Sequence, residues 1–507
     1  MQKKLLAVAV LSAFSGLAAA QSANVTLYGT IVQNVEQVSA TGGDSTNVSG
    51  ATGSSLRSSA AAATVVGGVR VATPVGATLA GVADQENRFR FNPAGTNFGI
   101  RGTEDLGNGL SAWFQMELAA QIGNSPPNAG TNHGTAASYR NTAVGLRSNT
   151  WGTALFGMWD TPFNVMVGNL NVNSRVSGAS QGHHANMLGG NSLAQGSVSG
   201  QSTAAWCSAA AAGIVTAGGC TNFGMNFDRR ERSSIQWWSP NWNGFEARAA
   251  YNVTADNGGI TVNNQAFGRN QLKQNIWDLS LAYSNGPLYV GYAYERQNDT
   301  MAAAARTFGT VMTGGEAAAV GTQNGTWTFG SGAAAAGNSY MSGSTGVGHR
   351  LGARYTFAGV GPGSLGIGAM WESLRWDMRY GVDAGAAAVL SQNLTSLKKT
   401  AYRLQGNYAW GSHFVSLDYV KANAMSGGIS NALAGGANNN FDGSSSGARA
   451  WMFNYNYMLS KRTSIGAYYN SVRNETNANY SGIVFGGIAT AAGASPKYLG
   501  MQVRHSF

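Results

Sequence analysis

Seven tight turns punctuate this chain, and long irregular segments alternate with them. The turns fall at residues 105–109, 148–152, 240–244, 284–287, 358–364, 410–412 and 459–462. Their Asn, Gly, Pro and Ser supply the geometry that reverses a backbone within a few residues. Between the turns lie stretches rich in Ala, Gly, Ser and Asn, with 298–347 and 422–447 the clearest. The segments beside the turns alternate with period two, the signature of strands with two unlike faces. Leu351, Ala353, Tyr355 and Phe357 alternate with Arg350, Gly352, Arg354 and Thr356. Leu288, Val290, Tyr292 and Tyr294 alternate with Tyr289, Gly291, Ala293 and Glu295. Phe98 and Ile100 stand between Asn97, Gly99, Arg101 and Thr103. The last segment sets Leu499, Met501, Val503 and Phe507 against Gly500, Gln502, Arg504 and Ser506. Seven turns join seven pairs of strands, and one further strand at each end makes sixteen.

A soluble sandwich could also alternate, but its apolar faces must fill a common core. Here most of those faces carry a single Leu, Val or Ile, with aromatics near the strand ends. Charged residues are 11% of the chain, where a soluble domain carries about 25%. So few charges would not cover a soluble surface. The 19 Phe, 19 Tyr and 13 Trp are too many for a disordered chain, and nine prolines are too few for collagen. A mean hydropathy of −0.13 excludes a bundle of membrane helices. The fold class that remains is all-β: a transmembrane antiparallel up-and-down β-barrel of sixteen strands. Short turns would face the periplasm and long loops the outside. A closed barrel also removes the unpaired sheet edges that lipid cannot satisfy.

The N-terminus agrees with export. Lys3 and Lys4 precede an apolar run over 5–14, and Ala18, Ala19 and Ala20 supply a small-residue cleavage site. The run is too short to span a bilayer, which takes ~20 apolar residues. Residues 1–20 are therefore read as a signal peptide, and 21–507 as a single barrel beginning at Gln21. Losing the two leader lysines takes the formal charge from +10 to +8. Residues 203–227 are uncharged but almost free of Leu and Ile, so they read as a loop. Cys207 and Cys220 lie within it. An oxidising compartment allows them to form a disulfide, which would stabilise the chain by roughly 3 kcal/mol. Two free thiols are the alternative.

Several blocks, in order along the chain, carry a resemblance. Val25 to Gly29 (Val-Thr-Leu-Tyr-Gly) opens it. Phe98 to Gly107 and Gly109 to Glu117 follow, and then Phe156-Gly157-Met158-Trp159-Asp160-Thr161-Pro162. Ser233 to Pro240 with Gly244 and Phe245 come next, and Tyr498 to Phe507, with Arg504, His505 and a terminal Phe, closes it. In this order the blocks resemble the general diffusion porins of Gram-negative bacteria, in their beta-proteobacterial form. The resemblance implies a homotrimer of sixteen-stranded barrels in the outer membrane, in contact with lipid and lipopolysaccharide. It also implies a third loop, here about 160–232, folded inward to narrow each pore. Passive diffusion of small hydrophilic solutes and ions would need no cofactor and no catalysis. Two positions depart from the family pattern: Met158 and Gln236 stand where the family usually carries arginine, and the third loop is longer than usual.

Strand parity indicates which side chains meet water. A charge on the lipid face at mid-membrane costs ~2–4 kcal/mol for Arg or Lys. Arg101, Arg147, Arg248, Arg350, Arg354, Arg403 and Arg504 are therefore expected inside, with Glu117, Glu246, Asp278, Glu295, Glu372 and Asp418. Arg101 and Arg147 are the leading constriction candidates, because their strands precede loop three. Asp160, Arg175, Asp228, Arg229, Arg230, Glu231 and Arg232 lie in or beside that loop. Net positive charge and an arginine-rich lumen favour anions modestly.

Catalytic signals are weak. Residues 361–366 match GxGxxG, but they lie in a turn between strands with no helix to receive a phosphate. Residues 178–182 and 443–447 match a nucleophile elbow within low-complexity loops. The six His are scattered, His183 and His184 falling in loop three, and no metal or cofactor is expected. The basic residues form no patch for nucleic acid. Two other classes compete with a diffusion channel: a surface adhesin and an outer-membrane enzyme barrel.

Overall fold

A computed structural model describes residues 24–42, 63–66, 69–72, 85–92, 95–120, 138–173, 187–190, 227–253, 260–262, 265–267, 275–298, 338–383, 393–428, 445–476, 478, 480 and 493–507. Sixteen strands form one antiparallel sheet that closes on itself. They are β1 Asn24–Thr41, β2 in two pieces (Gln85–Asn92 and Asn97–Gly107), β3 Leu110–Ala119, and β4 in two pieces (Ser138–Tyr139 and Thr142–Ser148). β5 Gly152–Asp160, β6 Arg230–Trp238, β7 Phe245–Asn252, β8 Asn275–Asn285, β9 Leu288–Asn298 and β10 Asn338–Val360 follow. β11 Gly363–Asp383, β12 Asn393–Trp410, β13 His413–Ala422, β14 Ala448–Met458, β15 Thr463–Asn474 and β16 Ser495–Ser506 complete the wall. Ser426–Gly428 adds a short strand to β12, and two small hairpins lie outside the barrel sheet.

The seam is between β1 and β16. Thr30 to Thr41 run in register against Ser506 to Ser495. Phe507 and Gly29 exchange backbone bonds of 3.0 and 3.2 Å at its turn-side end. All seven sequence-predicted turns join consecutive strands. Asn108 and Asn243 adopt positive φ, which Asn tolerates better than most residues. Among the described residues no helix is long and apolar enough to cross a membrane.

The period-two pattern maps onto the wall as inside and outside. Leu27, Phe89, Phe114, Val144, Phe156, Leu279, Leu404, Phe453 and Met501 stand exposed on the outer surface. Phe89 and Met501 are 77% and 70% exposed, which a wall set against lipid or a neighbouring protomer makes favourable. Trp237, Trp242 and Phe245 gather outside near the 240–244 turn, as interfacial aromatics do. The opposite parity carries Asn34, Glu36, Asp278, Arg350, Glu372, Arg403 and Asp418, all buried inside. The leader (1–20) and both cysteines, Cys207 and Cys220, lie outside the described residues.

On β2, Ile100 faces out and Thr103 faces in. Ile100→Arg is expected to destabilise the barrel by ~2–4 kcal/mol, and Thr103→Arg by less than ~1 kcal/mol. Equilibrium urea unfolding from lipid vesicles measures both, and equal losses would refute the assignment of faces.

Candidate functional site

The barrel interior is not empty. After β5 the chain turns inward at Thr161 and forms a short helix, α1, over Pro162–Asn169. Thr161 caps it by accepting from the Asn164 N–H at 3.3 Å, and Pro162 occupies its first turn. Phe163, Met166, Val167 and Leu170 repeat at i, i+3, i+4 and i+7. This apolar face presses on the inner wall. Two wall glycines permit the close approach. A Cβ at Gly348 would meet Phe227 at 2.7 Å, and one at Gly352 would meet Leu170 at 2.8 Å. Phe227 in turn packs between Phe163 and Trp376, with ring centroids 5.7 and 5.6 Å away.

Polar contacts then fasten the loop across β9 to β13. Thr161 donates to Glu295, which also accepts from Gln297. Arg350 is fully buried, donates to Phe163 O at 2.6 Å and Glu372 at 2.5 Å, and forms an ion pair with Asp228 at 2.8 Å. Glu372 accepts from the Gly189 backbone at 2.8 and 2.9 Å. Lys399 donates to the Met187 and Gly190 carbonyls and lies 4.0 Å from Glu372. Further along, Gln405 accepts from Val172 N, and Arg403 bridges Asn171 and Asp418. Asn173 donates to Asp418. A buried ion pair gains little over apolar packing, but removing one partner strands the other charge. These side chains therefore fix where the loop lies.

Two groups stand out among the charges of the inner wall and the loop base; Asp278 and Glu295, neighbours across β8 and β9, belong to neither and form no ion pair among the described residues. In the first, each carboxylate meets an arginine at 3.0 Å or less: Glu36 with Arg90, Glu117 with Arg140, Asp160 with Arg230, Glu231 with Arg229, Glu372 with Arg350 and Asp418 with Arg403. Tyr28 and Tyr468 add hydroxyl donors to Glu117 and Glu36. In the second group, arginines lie over aromatic rings supplied by other strands. Arg101 stacks on Tyr28 at 5.0 Å, Arg147 on Trp113 at 5.8 Å, Arg248 on Trp238 at 4.9 Å and Arg354 on Tyr289 at 5.0 Å. Arg354 also donates to Asn169 O at the negative end of α1. Arg101, Arg147 and Arg248 form no ion pair among the described residues. The ring holds each guanidinium in place without neutralising it.

The sequence-derived candidates thus separate. Arg101, Glu117, Arg147, Arg248, Arg350, Arg354 and Arg403 all project inward. Arg350 and Arg403 are locked beneath loop three, Glu117 is paired, and Asp160 anchors the loop base through Asn141, Arg230 and Asn164. Arg175 lies outside the described residues. Met158 shares the outward parity of Phe156 and Val144, away from the lumen where the family pattern suggested a constriction residue. Gln236 faces inward and donates to Asp160 O at 3.0 Å. Sequence reading missed Glu36, Arg88 and Arg90. Their signal was available, because Arg88, Phe89, Arg90 and Phe91 alternate in the same way as the strands that were read.

Comparison with known proteins follows from this geometry. The chain is 24% identical over 314 residues to an outer membrane porin protein of Bordetella pertussis; the match takes in 59% of this chain and 60% of that relative's length. An anion-selective porin from Comamonas acidovorans has the same fold, with a TM-score of 0.54 and 17% identity over 96% of this chain and all of that one. The family described as Gram-negative porin matches residues 7–477. That match takes in every strand from β1 to β15, and the chain belongs to the Gram-negative porin family.

Proposed function

We propose that this channel passes small hydrophilic solutes and ions passively and prefers anions. The observation that supports the preference is the division among inward charges. Six carboxylates are neutralised by arginines at contact distance, and Asp278 and Glu295 are buried against Asn252, Thr161 and Gln297, out of contact with the lumen. Arg101, Arg147 and Arg248 keep their charge facing the lumen. A surplus of fixed positive charge in a narrow, low-dielectric passage concentrates anions and repels cations. Arg101 and Arg147 lie on β2 and β4, away from the strands that α1 packs against. Among the described residues no cluster of three or more His, Cys, Asp and Glu side chains is present, and an adhesin would not need an arginine-lined lumen.

The leader is proposed to be cleaved before Gln21, and the mature barrels to assemble as a trimer in lipid and lipopolysaccharide. Mass spectrometry of the exported chain should place its N-terminus at Gln21, and a start elsewhere would count against that cleavage.

In planar bilayers under a salt gradient, the wild-type reversal potential should lie toward the anion. Arg101→Glu and Arg147→Glu should each move it toward the cation, and the double substitution further. A cation-preferring wild type, or variants that leave the potential in place, would sink the reading. Loop three is expected to depend on its buried anchor. Glu372→Ala leaves the buried Arg350 and Lys399 with Asp228 as their one carboxylate partner among the described residues and should cost ~3–5 kcal/mol, seen as a lower urea midpoint and noisier open-channel current. A quiet channel of unchanged stability would contradict that role.

A further inference from the structure

Beneath the base of loop three, on the turn side, three tryptophans meet on the inner wall. Trp113 comes from β3, Trp159 from the end of β5 and Trp238 from β6. Their ring centroids lie 5.7, 6.5 and 5.6 Å apart. Trp113 and Trp238 are close to parallel at 29°, while Trp159 stands edge-on to Trp113 at 80°. The cluster is built into the wall rather than resting on it. Trp113 is backed by Gly145, where a Cβ would come within 2.8 Å of the indole nitrogen. Trp238 is held by a 3.0 Å bond from its indole N–H to Gln236. Trp159 and Trp238 remain half-buried, so their rings still meet the lumen. At either side stand the stacked guanidiniums of Arg147 and Arg248.

Indoles are costly to place on a water-lined wall, and a purely electrostatic filter does not need them. Their pairing with two cations that no ion pair neutralises among the described residues fits a ligand that has both a planar π-face and a negative charge. A guanidinium offers two parallel N–H donors to a carboxylate, and an indole offers an offset or edge partner to a second ring. We propose that this corner is a transit-binding site for aromatic carboxylates, which pause there between Arg147 and Arg248 with their ring against Trp159 and Trp238. The site rests on the open, solute-passing channel proposed above and on its inward Arg147 and Arg248, not on the channel's overall ion preference.

The test is block of single-channel current in potassium chloride by four additives: benzoate, cyclohexanecarboxylate, acetate and benzyl alcohol. The two ring acids have nearly the same size and the same charge and differ in aromaticity. The half-blocking concentration of benzoate should be about fivefold or more below that of cyclohexanecarboxylate, with acetate and benzyl alcohol weaker still. Trp159→Leu should bring the ratio of the two ring acids towards one. Equal block by the two ring acids overturns the site, and this comparison uses the wild-type channel alone, whatever the variant does to folding. The reversal potential separates this proposal from the anion reading. Equal block in an anion-preferring channel overturns the aromatic site alone. Selective benzoate block in a cation-preferring channel overturns the anion reading and supports the site.

Discussion

A backbone that crosses lipid must satisfy its own hydrogen bonds, since each bare amide or carbonyl costs several kcal/mol there. In this chain that requirement is completed at one seam, where the first strand meets the last over twelve registered residue pairs. Much else follows from the seam. Joining β1 to β16 places both ends of the barrel wall on the turn side, so an even number of strands is obligatory. Each side chain must then face either lipid or lumen, and the period-two pattern becomes a map of solvents. The outer face accepts exposed Phe89 and Met501, and the inner face accepts Glu36 and Arg350.

Within that wall, charge serves two separate purposes. Where arginine and carboxylate meet, as at Arg350 with Asp228 and Glu372, the pair is sealed beneath loop three and holds it to β10 and β11. Where arginine meets an aromatic ring, as at Arg101 on Tyr28, the side chain is held in place without being neutralised. Position and charge are thus controlled by different neighbours. Net charge alone, at +10 for the whole chain, would not reveal this, because Arg350 and Arg403 are cancelled locally while Arg101, Arg147 and Arg248 are not.

Much of the architecture was legible in the sequence because its signals are local. Turn residues and period-two alternation need no knowledge of distant contacts, and seven turns were enough to count sixteen strands. The inward sense of Arg101, Arg147, Arg248, Arg350, Arg354 and Arg403 followed from the cost of charge in lipid. The α1 face was also local in principle. Phe163, Met166, Val167 and Leu170 have helical spacing, hidden within a segment whose Gly, Ser and Asn content reads as loop. The role of each inward charge was not legible. Arg350 and Asp228 are 122 positions apart and meet only after loop three folds back. Met158 shows the limit of carrying a family position across, since its parity on β5 turns it outward.

The wall behind loop three is partly bare backbone. Phe227 and Leu170 sit where Gly348 and Gly352 leave room, so the loop's depth in the barrel is set by what those positions lack. Any side chain there would act as a shim, lifting the loop off the wall and towards the far side. The bore of the channel is therefore adjustable from behind, by residues that no passing solute touches. Calibre and charge can then change independently within one barrel, the first through the size of hidden wall residues and the second through the stacked arginines.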